Sequence, residues 1–414
     1  MNKIINKLKS HKLGILIFLL LYISNDTLLF GTNIEHSFLY LQYIFLLLLL
    51  LFLVLIFIKK KVKTKLIFFF TIYLALTLST MVFKDLVSFK YFYEILLLFL
   101  ALLITSLYDF ETFTKEFISV IFIISLLSFI PFLINIIYQP ILNVFPTLIN
   151  ISGYKYHNLF IGFVPHNFYT FNIFRNMSFF REPGIYGCFL NVALLLLLFS
   201  KKENNFIKKL FVIIIATLTT MSTGSILCML FILSIYLVIV KFNRKKILLL
   251  IVLICFGLLF RNSDYLNQVV FGKLNTINSS YYSRLASVTS NSKIIVEEPI
   301  LGIGWERIVD KFESISVFKY ESSISHGEKK YHNTNTFFKM GAIHGILFLG
   351  LYIIGFYKFV GKLTSNKFLS ILLLLSFILI FSYEDLTLNI FLPIIMFYGH
   401  LQEKEGKKYE NSWG

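Results

Sequence analysis

An arginine and a glutamate directly precede an apolar stretch that begins with proline, and their chemistry suits an anionic ligand. The run Phe179–Gly187 reads F-F-R-E-P-G-I-Y-G. Proline is favoured in the first turn of a helix, so Pro183 predicts a helix N-terminus, whose free N–H groups attract anions. Arg181 adds a permanent planar cation that matches phosphate oxygens. The alternative is that Arg181 contacts lipid headgroups while Glu182 complements the helix dipole.

A second group of candidate residues lies further along the chain. Arg284 falls on a predicted amphipathic segment, followed by the run E-E-P-I-L-G-I-G-W. Gly302 and Gly304 in that run predict a tight turn with close backbone approach; it is not a dinucleotide-binding fingerprint, because no strand–helix unit surrounds it. His332 and Asn333 precede the next apolar run. A histidine there could act as a general base near neutral pH, or be a surface or capping residue.

Other polar residues inside the apolar stretches are better explained by packing. The S-T-G-S run at Ser222–Ser225 could line a cavity, but capping and small-residue packing explain it equally well. Gly341 and Gly345 form a small-xxx-small pattern, and His344 beside them is predicted to be a packed polar group. The chain has no phosphate-binding loop, zinc-protease helix, nucleophile elbow or ligand cluster, so neither a metal nor a cofactor is predicted.

Apolar helices must carry these residues, because 57% of the 414 residues are hydrophobic and 15% are charged. The apolar runs are about 17–23 residues long, which is enough to cross ~30 Å of hydrocarbon, and they lack the alternation of barrel strands. The sequence predicts an all-α polytopic membrane protein, residues 1–414 forming a single membrane domain. The predicted spans, about twelve in number, are 14–31, 38–58, 66–83, 91–108, 117–138, 184–200, 210–222, 224–240, 247–260, 337–359, 368–382 and 387–400.

The basic residues predict the orientation of these spans. The net charge is +17, and most Lys and Arg fall in short segments that share one side of the membrane. The positive-inside rule then makes both termini cytoplasmic and removes the need for a nucleic-acid partner. Two long segments face outward: a first long outer loop, 139–183, and a large outer loop, 261–336, which carries site residues. Carboxylates near the outer helix ends form either a solvated interface or a polar vestibule: Asp26, Glu94, Glu182, Glu384 and Asp385.

Taken in chain order, the motifs resemble those of the O-antigen polymerase and O-antigen ligase superfamily. They are R-E-P-G-I-Y-G, S-T-G-S, S-R-L, E-E-P-I-L-G-I-G-W, H-N-T and G-A-I-H-G, which cover about Phe179–Gly350. The E-P-G after the arginine is closer to the repeat-unit polymerases than to the ligases. The resemblance implies a GT-C-like membrane fold in a bacterial inner (cytoplasmic) membrane, with the active face extracytoplasmic.

The same resemblance implies a glycosyltransferase that uses undecaprenyl-diphosphate-linked oligosaccharide as both donor and acceptor. It implies membrane lipid, and a chain-length regulator protein as a candidate partner, but no nucleic acid. Lys311–Lys330 matches no pattern of the family. The implied residues are His332 and Glu182 as catalytic, Arg181 and Arg284 as diphosphate-binding, and Gly302, Gly304 and Asn333 as supporting.

The chemistry of such a transfer agrees with these residue types. Fixed cations stabilise a departing diphosphate, whereas the acceptor hydroxyl needs a positioned base, for which His332 or Glu182 could serve. The predicted function is polymerisation of repeat units into O-antigen or capsular polysaccharide. One alternative is a ligase that moves glycan onto lipid A-core, and another is a transporter or flippase of lipid-linked oligosaccharide. Few mid-span charges and no evident pair of broken helices disfavour transport.

Overall fold

A computed structural model of the chain describes residues 2–31, 36–57, 63–84, 88–149, 155–165, 175–200, 203–239, 279–315 and 333–401. The internal contacts divide the chain into two units. The first unit contains Met1–Leu51, Tyr108–Lys273 and Glu410–Gly414. The second unit contains Phe52–Leu107 and Leu274–Tyr409.

The described elements are mostly helices. In chain order they are α1 (Asn2–Tyr22), α2 (His36–Phe57), α3 (Thr64–Phe83), α4 (Phe89–Leu107), α5 (Phe110–Ile137), a 3-10 helix (Gln139–Val144), β1 (Thr147–Ile149), β2 (Lys155–Asn158), β3 (Phe163–Pro165), α6 (Pro183–Phe199), α7 (Phe206–Thr219), α8 (Thr223–Ile239), α9 (Ser279–Glu297), α10 (Ile308–Ile315), α11 (Thr336–Val360), α12 (Lys367–Ile380) and α13 (Phe391–His400).

Among the described residues, four helices are long and apolar enough to cross a membrane: α3, α4, α5 and α11. Six further apolar helical stretches are shorter, at 10–17 residues. A helix satisfies its backbone hydrogen bonds internally, as a lipid environment requires. The chain is thus mostly helical, in agreement with a polytopic membrane protein. The number of spans, the orientation and the single membrane domain stay predictions.

Several predicted spans differ from the helices at their ends. The span 14–31 stops early, because α1 ends at Tyr22 and the hydroxyl of Ser24 donates to the carbonyl of Leu21 at 2.8 Å, which begins a turn. The span 387–400 starts late, because Asn389 accepts a hydrogen bond from the amide of Phe391 at the start of α13. The adjacent predicted spans 210–222 and 224–240 correspond to two helices, α7 and α8. The span 247–260 lies outside the described residues.

The first long outer loop contains regular structure that the all-α prediction did not include. Strands β1, β2 and β3 form an antiparallel sheet in the order β1-β2-β3, with Thr147 opposite His157 and Tyr156 opposite Pro165. These segments are rich in β-branched and aromatic residues, which favour strands. A small core of Leu142, Leu159 and Val164 holds the sheet against the 3-10 helix.

In the first unit, α6 packs against α7 and α8 and is buried along almost its whole length. Close packing drives helix association in lipid, so small residues at the crossing are expected. A methyl group on Gly187 would overlap the hydroxyl of Ser225, and Asn191 donates to the carbonyls of both residues at 2.9 Å. Ser225 is therefore a packing residue, as one of the two interpretations of the S-T-G-S run predicted.

In the second unit, α11 contacts α3, α9, α12 and α13. The buried ring of Tyr73 from α3 lies 5.5 Å from Phe348 and 5.3 Å from Tyr352, measured between ring centroids. The hydroxyl of Tyr73 lies 3.3 Å from the Nε2 atom of His400 in α13. Aromatic pairs at these distances add to the close packing that a lipid-embedded bundle needs.

Candidate functional site

In the first unit, the backbone fixes the segment that ends in Arg181. Phe179 and Phe180 stack with ring centroids 4.6 Å apart, and Phe180 forms an isolated β-bridge with Thr27. The amide of Leu28 donates to the carbonyl of Phe179 at 3.1 Å, and the amide of Arg181 donates to the carbonyl of Asp26 at 2.9 Å. The turn after α1 therefore sets the position of the arginine in this unit.

The side chain of Arg181 faces a carboxylate. Its Nη2 atom lies 3.8 Å from the Oδ1 atom of Asp26, whose side chain is almost fully buried, while the guanidinium is partly exposed. Pro183 occupies the first turn of α6, which confirms the predicted helix N-terminus. Glu182 is the N-cap residue of α6, is exposed, and forms no side-chain cap bond. The partly exposed cation and the start of α6 thus lie two residues apart in the chain.

In the second unit, the glycine-rich turn docks onto a break in α11. We name this contact the clasp, formed by Pro299–Gly304 and Ala342–Ile346. The amide of Ile303 donates to the carbonyl of Ala342 at 2.8 Å, and the amide of Gly304 donates to the carbonyl of Ile343 at 3.0 Å. In return, the amide of Ile346 donates to the carbonyl of Pro299 at 2.7 Å. The turn thus replaces the helical bonds that α11 loses at its break.

Glycines make the clasp sterically feasible. Gly345 interrupts α11 with φ 84° and ψ 176°, and a Cβ atom there would overlap the carbonyl oxygen of Ile300. Gly302 has φ 64°, and a Cβ atom there would overlap the carbonyl of Ile343. The predicted tight turn with close backbone approach is confirmed. The small-xxx-small prediction is wrong at Gly345, which breaks the helix because its left-handed conformation is one that side chains disfavour.

A buried polar cluster lies beneath the clasp. The amide of Trp305 donates to the hydroxyl of Tyr91 at 3.1 Å, and its indole Nε1 donates to the Oε2 atom of Glu94 at 3.1 Å. The other oxygen of Glu94 lies 2.9 Å from the Nε2 atom of His344, which is fully buried and stacks on Phe348 at 4.3 Å. His344 is thus a packed polar group, as predicted.

Two lysines flank the indole ring of the same tryptophan. The Nζ atoms of Lys90 and Lys339 lie 5.4 and 5.5 Å from the ring centroid of Trp305, within the range of cation–π attraction. Lys339 also forms an ion pair with Asp385. Glu94 and Asp385 thereby compensate the positive charge around the ring, so the cluster is a stabilising network rather than an open anion site.

The Arg284 helix is tied to the start of α11 by side chains. The amides of Asn291 and Asn333 exchange two hydrogen bonds, at 2.8 and 2.9 Å, and both residues are buried. The amide of Thr334 donates to the hydroxyl of Ser287 at 2.9 Å. Arg284 is partly buried. Because positions separated by three and four residues share a helix face, it lies on the face of Ser287 and Asn291.

The predicted site residues therefore fall into two groups. Arg181 and Glu182 belong to the first unit, whereas the second unit contains Arg284, Gly302, Gly304 and Asn333. His332 lies outside the described residues. Sequence reasoning did not identify Asn291 as the partner of Asn333, nor His344 as the partner of Glu94. The signal in the sequence was a polar residue within or beside an apolar run, since a polar group that becomes buried needs a hydrogen-bond partner.

Comparison with known proteins supports the resemblance drawn from the motifs. A family model described as O-Antigen ligase matches residues 210–353 of the 414-residue chain. No curated protein matches the chain. The matched segment contains Arg284, the clasp and the Asn291–Asn333 pair. The match confirms the predicted resemblance: residues 210–353 are similar to the family of O-antigen ligases.

Proposed function

We propose that the protein polymerises repeat units. It transfers a glycan from undecaprenyl diphosphate to an acceptor repeat unit on a second carrier lipid, which builds O-antigen or capsular polysaccharide at the outer face of the bacterial inner membrane. One observation supports this function most directly: the reciprocal amide bonds of Asn291 and Asn333 tie the Arg284 helix to the chain that begins α11.

This tie holds the Arg284 helix next to Asn333, the residue that follows the candidate base in the chain. Three helical residues rise about 4.5 Å, so Arg284 lies one turn from Ser287, which holds Thr334. His332 immediately precedes Asn333 in the chain. We assign Arg284 to the donor diphosphate and His332 to the acceptor hydroxyl. We give Asn333 a positioning role, because its side-chain amide exchanges two hydrogen bonds with Asn291.

The transfer needs a departing anion and a deprotonated nucleophile. The acceptor oxygen forms a bond to the anomeric carbon of the donor glycan while the bond from that carbon to the diphosphate oxygen breaks. His332 takes the proton of the acceptor hydroxyl, and the diphosphate leaves with the bonding electron pair. Arg284 stabilises the developing negative charge, a contribution that is often the largest single one in group transfer. Arginine remains protonated and cannot itself be the base.

Arg181 and Glu182 supply a second candidate pair in the first unit. The partly exposed guanidinium of Arg181 lies beside the N-terminus of α6, which favours phosphate oxygens. The exposed carboxylate of Glu182 accepts no cap bond from α6 and is free of that structural role. We assign Arg181 to a carrier diphosphate and Glu182 to the acceptor side as an alternative base.

Two other functions remain as alternatives. A ligase is favoured by the description of the matching family, O-Antigen ligase. A transporter would use the exposed backbone of a broken helix to bind an ion or substrate. At the break in α11, the carbonyls of Ala342 and Ile343 already accept hydrogen bonds from the clasp. These hydrogen bonds argue against a transport site there, because the carbonyls face the clasp.

Surface glycan from cells that carry single variants tests the proposal. We expect Arg284→Ala and His332→Ala to abolish long chains at normal protein levels. Lys293→Ala is the matched control, because it removes an exposed cation from the same helix without touching the Arg284 face. Normal chain length in Arg284→Ala and His332→Ala would remove both residues from the site.

Gel electrophoresis of the glycan from the same cells distinguishes a polymerase from a ligase. Loss of a polymerase leaves lipid A-core that bears single repeat units, because ligation continues without chain growth. Loss of a ligase leaves polymer attached to the carrier lipid. Accumulation of carrier-linked polymer in Arg284→Ala cells would overturn the polymerase assignment while keeping the superfamily.

A further inference from the structure

An exposed apolar stripe runs along α5 and continues past its end. Exposed large apolar residues recur from Ile123 onward at spacings of three and four, which is one helix face: Ile123, Leu126, Ile130, Leu133 and Ile137. Ile136 beside them is exposed as well. With 28 residues, α5 is about 42 Å long, whereas the hydrocarbon core is ~30 Å thick. The helix is therefore longer than the hydrocarbon requires.

The stripe changes its period where the helix changes its type. The 3-10 helix Gln139–Val144 has three residues per turn, and Tyr138, Ile141 and Val144 follow at intervals of three. All three are exposed, Val144 at 82%, while Leu142 on another face is buried in the small core beneath the sheet. Tyr138, Ile141 and Val144 thus share one face of the 3-10 helix, and this face continues the apolar stripe of α5, whereas Gln139 and Asn143 are exposed on other faces.

The β2–β3 turn adds a further apolar side chain. Phe160 is 65% exposed and has φ 64°, a left-handed conformation that non-glycine residues rarely adopt. Its amide donates to the side chain of Asn158 at 2.8 Å, which stabilises the turn. Such a conformation costs of order 1–3 kcal/mol. An exposed aromatic ring held at this cost is expected where the ring gains an apolar environment.

We propose that Tyr138–Ile149 and Lys155–Pro165, which we name the platform, lie in the headgroup–acyl boundary of the outer leaflet. The occupant of its apolar surface is the lipid itself, because the surface continues the exposed face of a membrane-spanning helix. Aromatic residues such as Tyr138 and Phe160 favour this depth. The segment predicted as an outer loop is thus a monotopic membrane element, with buried apolar area as its driving force.

The platform also supports the Arg181 segment. The amide of Phe163 in β3 donates to the carbonyl of Ser178 at 2.8 Å, three residues before Arg181. Gly162 fits between the ring of Pro131 in α5 and the carbonyl of Ser178, since a Cβ atom there would lie 2.8 and 3.2 Å from them. A platform seated in the boundary would hold Arg181 near the depth of lipid phosphates. The role of Arg181 at this depth rests on the proposed function, whereas the contact of the platform with the membrane does not.

Depth-dependent fluorescence quenching tests whether the platform lies in the headgroup–acyl boundary. Cys188, Cys228 and Cys255 are replaced by alanine, and single cysteines are introduced as Ile141→Cys, Val144→Cys or, as the matched control, Asn143→Cys. The labelled full chain is reconstituted into phosphatidylcholine–phosphatidylglycerol vesicles. The quenchers are a phospholipid with a nitroxide near the top of its acyl chain and aqueous iodide. Asn143 is exposed on a different face of the same 3-10 helix.

We expect the lipid nitroxide to quench the labels at positions 141 and 144 several-fold more than the label at 143, and iodide to show the reverse order. Equal iodide quenching at all three positions would overturn the proposal, because the surface would then face water. Protection from both quenchers, together with maleimide cross-linking between copies of Val144→Cys, would also overturn it in favour of a second copy. Quenching needs no turnover, so Arg284→Ala in the Val144→Cys background separates this result from failure of the proposed function.

Discussion

The first unit holds Arg181 by its backbone, whereas the second unit presents Arg284 from the face of a helix. Arg181 donates its amide to the carbonyl of Asp26, and its guanidinium faces the same residue. Among the described residues, no carboxylate lies within ion-pair distance of Arg284. The charge of Arg181 is thus partly compensated and locally fixed, while the position of Arg284 depends on contacts more distant along the chain.

The glycines at two of the contacts described above have different neighbours. In the first unit, Gly187 admits the side chain of Ser225, a neighbour that can adjust its rotamer. In the second unit, Gly302 and Gly345 admit main-chain atoms of the facing segment, which cannot move without breaking the clasp. A side chain at Gly302 or Gly345 must therefore displace main chain, and we expect the position of Arg284 to be lost when the clasp is lost.

The largest expected effect is that of Gly345→Ala. A Cβ atom there overlaps the carbonyl oxygen of Ile300 and forces a left-handed alanine, so we expect a loss of ~3 kcal/mol or more. Thermal unfolding of the purified protein in detergent measures this change. Gly350→Ala in the same helix is the control, because nothing lies within 4 Å of a Cβ atom there. Equal melting temperatures for the two variants would show that the clasp carries no stability.

Glu94→Ala comes next, since it removes the carboxylate that joins Trp305 to His344. Its loss leaves the buried indole N–H of Trp305 without this acceptor, and an unsatisfied buried polar group costs up to about 3 kcal/mol. Glu94→Gln is the matched variant, because its amide oxygen can still accept from the indole of Trp305. We expect Glu94→Gln to unfold between wild type and Glu94→Ala in a denaturant titration. A Glu94→Ala curve that coincides with wild type would contradict the buried network.

A smaller effect is expected from the Asn291–Asn333 pair. Asn291→Ala and Asn333→Ala each remove the two hydrogen bonds between these buried amides. Each single change should cost about 1–3 kcal/mol, and the double variant should cost less than the sum. A double-mutant cycle of unfolding free energies measures this coupling. Strict additivity would mean that the two amides do not hold the Arg284 helix to the start of α11.

The smallest effect is expected in the first unit, from Asp26→Asn. The substitution keeps the main-chain bond from Arg181 to residue 26 and removes only a charge at 3.8 Å. We expect a change of ~1 kcal/mol in unfolding free energy. A loss as large as that of Glu94→Ala would show that the ion pair, rather than the backbone, fixes Arg181. The contrast between the two units would then disappear.

The sequence predicted individual elements better than their contacts. Helix positions followed from runs of apolar residues, so α3, α4 and α6 begin within two residues of the predicted spans. Pro183 correctly marked a helix start because proline lacks only a donor that is unused there. The break at Gly345 was not predicted, because glycine is compatible with a packed helix as well as with a kink.

Contacts between distant residues could not be read from the chain. The need of Glu94 and Asn333 for partners follows from their polarity, but the partners themselves depend on the packing of helices. Asn291 lies 42 residues from Asn333 and Trp305 lies 211 residues from Glu94. The sheet was missed because strands of three or four residues are too short to show alternation.

Binding of carrier lipid tests most directly whether a permanent cation holds the donor diphosphate. Purified protein in detergent is titrated with undecaprenyl diphosphate, and wild type is compared with Arg284→Ala and Lys293→Ala. Charge-assisted hydrogen bonds contribute about 1.5–3 kcal/mol, so we expect Arg284→Ala to weaken binding about tenfold or more and Lys293→Ala to leave it unchanged. Equal affinities for wild type and Arg284→Ala would contradict the account.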